Sequence, residues 1–161
     1  MLQHRFTAGG RPKPHTSEPD WTKEAEKSLH KNKDGIIFEP GAHVEGCLVK
    51  AATAFQIPGK GKKTYKDLFR AAVFIEEVEI PIEPQDYVVD ERPVVVNRAR
   101  VLRYRPKFED WKLNFTLTCL DENMPADDIK KILEHGGKFI GIGDFRPKFG
   151  RFNVNMFELI K

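Results

Sequence analysis

Polar and apolar residues alternate most strictly between Trp111 and Cys119. There Trp111, Leu113, Phe115, Leu117 and Cys119 are separated by Lys112, Asn114, Thr116 and Thr118. A period of two predicts a strand with one buried and one polar face. The period changes after Ala42, where Val44, Cys47, Leu48, Ala51, Ala52 and Phe55 recur at spacings of three and four. That is the single apolar stripe of an amphipathic helix, stopped by Pro58 and Gly59. A second stripe, Ala126, Ile129, Ile132 and Leu133, follows Pro125 and carries Asp127 and Asp128 in its first turn. Both acids favour the positive end of the helix dipole, and Gly136 is placed to take a left-handed position just beyond His135.

Weaker signals fill in the rest. Met1 to Phe6 reads as a short edge strand, and residues 1–20, with Pro12, Pro14 and Pro19, as an arm or loop. Asp20 is placed to cap a helix from Trp21 to about His30. Ile36 to Pro40 is a short strand, and Thr64 is placed to cap a short helix from Tyr65 to Ala72. Val73 to Ile82, Tyr87 to Val89, and Val94 to Arg105 between Pro93 and Pro106 are further strands. Phe152, Val154, Met156, Leu159 and Ile160 mark a last one. The order strand, helix, strands, helix, strand predicts one α+β domain over residues 1–161. A ferredoxin-like βαββαβ sheet with helices on one face and inserted loops and strands fits this order best.

Composition narrows the class. The 161 residues are 40% hydrophobic and 32% charged, as in a single globular domain rather than a disordered chain. No apolar run approaches the ~18 residues of a membrane span. The start is too short and too basic for a signal peptide, which predicts a cytoplasmic protein. Cys47 and Cys119 sit in apolar-periodic segments and are expected to be free thiols. The net charge is +3. Its distribution matters more: residues 76–91 carry seven acids and no Lys or Arg, whereas residues 98–107 carry five bases and no acid. Either a polyanion-binding face lies beside an acidic one, or the two blocks pair across the sheet.

Candidate chemistry concentrates in three stretches. Residues 136–155 interleave Gly141, Gly143 and Gly150 with Phe145 and Phe149 and with Arg146, Lys148 and Arg151. Aromatic and cationic side chains on a glycine-rich loop can stack on bases and neutralise phosphates, while glycines let backbone come close. The plainer reading is a tight connection with core phenylalanines. The loop with Lys60, Lys62 and Lys63 precedes a helix and suits phosphate contact, though it lacks the spacing of a P-loop. Gly141 to Arg146 likewise fails as a dinucleotide fingerprint, because no third glycine and no helix follow. In the third stretch, strict alternation places Arg98 and Arg100 with Tyr104 on one face and Arg103 and Arg105 on the other; a bulge would gather all four arginines. His43 and His135 end the two apolar helices and are weak candidates for a general base. No histidine pair has metal-ligand spacing, and neither a metal nor a cofactor is implied.

Ile37-Phe38-Glu39-Pro40-Gly41-Ala42-His43-Val44-Glu45-Gly46-Cys47-Leu48-Val49-Lys50 resembles the entry into the first helix of RAMP proteins, the RNA-binding folds of CRISPR effector complexes. Gly141 to Phe152 resembles the glycine-rich loop before their last strand. Glu39, Ala42 and His43 depart from the usual residues, and Lys50 stands where that family has a basic residue. The chain is also similar to RAMP-like proteins of phages and mobile elements. The resemblance implies a ferredoxin-like fold, single-stranded RNA or DNA as partner, and a homo-oligomer or nucleoprotein subunit assembled along the strand. The leading expectation is a non-enzymatic nucleic-acid-binding protein. A metal-independent endoribonuclease and a phage structural or defence-related interaction protein are the rival expectations.

Overall fold

A computed structural model describes residues 2–3 and 21–160. The apolar stripe after Pro40 becomes α2 (Gly41–Ala51), continued by one tighter helical turn over Ala52–Ala54. Val44, Leu48 and Ala51 are buried there. They meet Phe69 of α3 (Lys66–Ala72) and Ile129, Ile132 and Leu133 of α4 (Ala126–His135) in the main core. Each large aliphatic side chain buried this way stabilises the fold by roughly 1.5–3 kcal/mol. A smaller core gathers Ile37, Cys47, Ile82, Phe108 and Ile142, so α2 contributes to both. Only glycine fits at the start of α2, because a Cβ on Gly41 would lie 2.3 Å from the Glu77 carbonyl oxygen.

Among the described residues, three small antiparallel sheets accompany four α-helices, so the class is α+β. In the first, β6 (Ala99–Phe108) lies between β1 (Leu2–Gln3) and β5 (Val88–Val96). Short helix α1 (Trp21–Lys27) packs on β6. The second sheet pairs β2 (Phe38–Pro40) with β4 (Glu79–Pro81), and the third pairs β3 (Val73–Ile75) with β7 (Leu117–Cys119).

Several sequence expectations are corrected. Val94 to Arg105 is not one strand: Asn97 and Arg98, with φ +50° and +66°, turn the chain between β5 and β6. Two consecutive positive φ values are those of a type I′ hairpin turn, which the twist of paired strands favours. Pro93 and Pro106 lie inside the strands opposite Leu102 and Val89 rather than bracketing one. Val73 to Ile82 breaks in the middle, and its halves join different sheets. At 111–119, Leu113, Phe115, Leu117 and Cys119 pack half-buried against the core, but Thr116 and Thr118 are half-buried as well, so the alternation is only partly kept. Its ladder shrinks to β7 and one bridge between Lys112 and Glu83. Residues 151–160 form no ladder; Phe152, Val154 and Phe157 pack inward while Met156, Leu159 and Ile160 are exposed. Thr64 does not cap α3; it bridges to Gln56, and Tyr65 stands at the cap. Gly136 keeps helical angles, and the chain widens into a π-turn over Gly136–Ile140 before Gly141 takes φ +72°. The N-cap expected of Asp20 and most of the expected arm, residues 4–20, lie outside the described residues.

Candidate nucleic-acid interface

The β5–β6 hairpin has an unbroken register, Asp90 opposite Arg105, Arg92 opposite Arg103 and Val94 opposite Val101. Alternation therefore wins over a bulge. Arg103 and Arg105 share a face with Asp90 and Arg92, while Arg100 points with Leu102 and Tyr104 to the other. Arg98 sits in the turn itself.

The first face is a charged cleft of about 340 Å³ lined by Arg92, Arg103, Arg105, Asp90, Asp144 and Phe145, among others. Its arginines are held by acids. Glu24 of α1 accepts from Arg103 at 3.2 Å and from Arg105 at 3.5 Å, and Asp144 accepts the Nε–H of Arg105 at 3.3 Å. Arg92 donates to Asp90 at 2.5 Å. Its guanidinium carbon also stands 4.5 Å from the ring centroid of Phe149 and 5.7 Å from that of Phe145. The two rings are 5.5 Å apart. A guanidinium over aromatic faces gains from the ring quadrupole, by about 0.5–1 kcal/mol where solvent reaches it. Neither Arg92 nor Glu24 stood out in the sequence. Arg92 lies in a mixed-charge run, and Glu24 meets the arginines only through the packing of α1.

Tyr104 is corrected as a stacking group, because its side chain is buried at 3% exposure. Burial, with the Glu91 carboxylate beside it, pushes its hydroxyl above the ordinary tyrosine range. The glycines are corrected too: Gly141, Gly143 and Gly150 are buried, and the backbone that Gly141 and Gly150 admit is the chain's own. A Cβ on Gly150 would lie 1.6 Å from the Ile142 carbonyl oxygen, and one on Gly141 2.9 Å from that of Gly150. They form a stem, closed by the Ile142 N–H to Gly150 carbonyl bond at 2.9 Å. Above it, Asp144, Phe145, Arg146, Pro147 and Lys148 are exposed. Arg146 donates to the Gly143 carbonyl at 2.9 Å. Arg151 is exposed just past the stem.

A second cationic surface lies elsewhere in the fold. Lys60, Lys62 and Lys63 are exposed on the loop that leads into α3, and among the described residues none pairs with a carboxylate. The same holds for Arg98 and Arg100 at the hairpin tip. The structure thus separates the predicted bases into Arg103 and Arg105, engaged by acids, and loop or tip cations with no acidic partner among the described residues. From the acidic block, Asp90 pairs with Arg92, while Glu24 and Asp144 pair with Arg103 and Arg105.

The two histidine candidates have different surroundings. His43 Nδ1 lies 2.8 Å from Oε1 of Glu39, a carboxylate with no solvent exposure. The His30 ring is 5.8 Å from that of His43. His135 is wedged between Phe55 and Phe139, with centroids 5.2 and 4.7 Å away. Both cysteines are free thiols, and burial pushes that of Cys47 up to about 11 against the opposing pull of Arg146. Among the described residues, no three His, Cys, Asp or Glu side chains stand close enough to share a metal, and no helix is long and apolar enough to cross a membrane.

Fold and surface define an α+β protein carrying an aromatic–basic loop beside an arginine-lined hairpin. No family model, curated protein or solved structure matches the chain.

Proposed function

We propose that this protein binds single-stranded nucleic acid without cleaving it. The observation that carries the reading is the tip Phe145-Arg146-Pro147-Lys148, raised on a buried glycine stem beside Arg92 stacked on Phe149. The exposed Phe145 ring next to cations offers a base a stacking surface and its phosphate a counter-charge, with half-buried Phe149 behind it, and stacking is worth about 1–3 kcal/mol per base. Arg98, Arg100, Arg151 and the lysine loop extend the cationic surface. Glu24 and Asp144 offset Arg103 and Arg105, so those two serve chiefly to hold α1 and the loop against the hairpin. A ferredoxin-like arrangement belongs to the same proposal. With α3 and β4 to β6 taken as insertions, the order β2, α2, β3, β7, α4 and the segment 151–157, together with the antiparallel β3–β7 pair, supports it. Assembly of several copies along one strand follows from the same reading.

Fluorescence anisotropy with labelled oligouridylate and oligothymidylate tests this. Binding in dilute buffer that weakens as salt rises is expected, with a log–log slope of roughly 0.7 per neutralised phosphate. Phe145→Ala together with Phe149→Ala should weaken it by at least about tenfold, the scale of one lost base stack. Indifference of the wild type to both oligomers at low salt would end the proposal.

The Glu39–His43 pair favours a second reading, a metal-independent endoribonuclease. A carboxylate on Nδ1 orients an imidazole so that Nε2 can take the proton of a ribose 2′-hydroxyl. The 2′-oxygen would then bond to phosphorus as the bond to the 5′-oxygen breaks. That oxygen takes up a proton, leaving a 2′,3′-cyclic phosphate and a 5′-hydroxyl end. RNA cleavage in chelator that is lost in His43→Ala and reduced in Glu39→Gln would replace the first reading with this one.

A further inference from the structure

Between α2 and α3 runs a groove of about 510 Å³ that the candidate residues do not include. Its α2 wall carries Ala42, Gly46, Val49 and Lys50, with Thr53 just beyond, and the buried Phe69 and Val73 also line it. Lys66 and Arg70, four residues apart on α3, share the opposite wall. These three cations are exposed, and among the described residues none is ion-paired. The acid in the lining, Glu45, is tied to the fold: its Oε1 accepts the Ile75 N–H at 2.9 Å. Asp67, the acid of α3, is not part of the lining. The segment joining Thr53 to Lys66 is the one that carries Lys60, Lys62 and Lys63. Six cations with no acidic partner among the described residues therefore lie on one continuous stretch of chain and its flanking helices.

We infer that this groove seats the phosphodiester backbone of the bound single strand, with Lys50, Lys66 and Arg70 continuing the track begun by the lysine loop. The inference rests on the nucleic-acid reading above and assigns the phosphates, rather than the bases, to this side of α2. Six contacts would give a salt slope of about 4, half of it from the groove.

Gly46 provides a test that leaves the core untouched. A Cβ there meets nothing within 4 Å, and glycine inside a helix is the weakest ordinary choice. Gly46→Glu should fold at least as well as wild type while placing a negative charge on the α2 wall of the groove. Affinity for labelled oligouridylate is expected to fall about tenfold at roughly 50 mM salt. Gly46→Ala should bind like wild type. Lys50→Ala, Lys66→Ala and Arg70→Ala combined should lower the slope by about 2, so that raising salt fourfold costs about 16-fold less affinity than in wild type. Bound oligouridylate should also protect Lys50 and Lys66 from acetylation. Wild-type binding with neither protection of these lysines nor any effect of Gly46→Glu would overturn the groove while leaving the function standing. No wild-type binding at all would remove the function, and the groove with it.

Discussion

At the scale of the residue, the glycines illustrate how one type can hold different roles. Gly150 has φ +74° and no space for a Cβ, whereas Gly59 has φ +75° and open space around it. Gly150→Ala should therefore destabilise by more than about 3 kcal/mol and Gly59→Ala by only the 1–2 kcal/mol of a left-handed alanine. Denaturant midpoints of the two variants would separate steric from conformational cost. Glu77 makes a second case. Desolvation works against its charge, but the Thr116 N–H, held at 2.7 Å, and other hydrogen bonds more than compensate and lower its pKa. A depressed carboxylate adds stability above its unfolded value and loses it as pH falls through the folded value. Acid unfolding of Glu77→Gln should accordingly show a shallower loss of stability through the glutamate range than wild type. An identical pH profile would show that the Thr116 contact contributes nothing. Gly150 and Glu77 were visible in the sequence, but their roles were not, since Gly150 meets the Ile142 carbonyl across its loop and Glu77 the amide of Thr116, 39 residues along the chain.

At the scale of the element, α2 was legible but for its end: the α-helix stops at Ala51, one tighter turn covers Ala52–Ala54 and Phe55 is extended, so Pro58 lies beyond the stop. Its stripe, its start after Pro40 and its stop before Pro58 are local properties, and Leu48, 1% exposed, sits where the period placed it. Leu48→Ala should cost about 3 kcal/mol by calorimetry or denaturant titration. The β5–β6 hairpin was misread because its turn is Asn97-Arg98 rather than the Asn-Gly that announces a type I′ turn. Arg98 adopts φ +66° in spite of its Cβ, so Arg98→Gly should raise stability by about 1 kcal/mol. The same change removes a cation from the tip and should weaken oligonucleotide binding slightly, so stability and affinity move in opposite directions. A variant that loses both would show that the arginine side chain supports the turn.

For the whole molecule, the arrangement of charge governs what can bind. Glu24, from a short helix nearly eighty residues upstream, neutralises two arginines that look free in the sequence. The lysine loop keeps its charge because among the described residues no acid folds back onto it. Lys60→Ala, Lys62→Ala and Lys63→Ala together should reduce the salt slope by about 2, whereas Arg103→Ala should chiefly lower stability and leave the slope nearly unchanged. Parallel salt titrations and thermal melts of the two variants would check this division. An unchanged slope in the triple variant would remove the loop from the binding surface.

Period and punctuation alone determined the α+β class, the two amphipathic helices, the buried side of 111–119 and the clustering of rings and cations around 144–151. These are short-range properties, written in the spacing of apolar residues and in glycine and proline. Tertiary structure alone decided which cations keep their charge, which aromatic rings reach solvent, and that the glycines admit their own chain rather than a ligand. It also opened the groove between α2 and α3. Those outcomes depend on distances across the fold, where a carboxylate or carbonyl from a remote segment comes within about 3 Å, the reach of a hydrogen bond, and no local pattern records that approach.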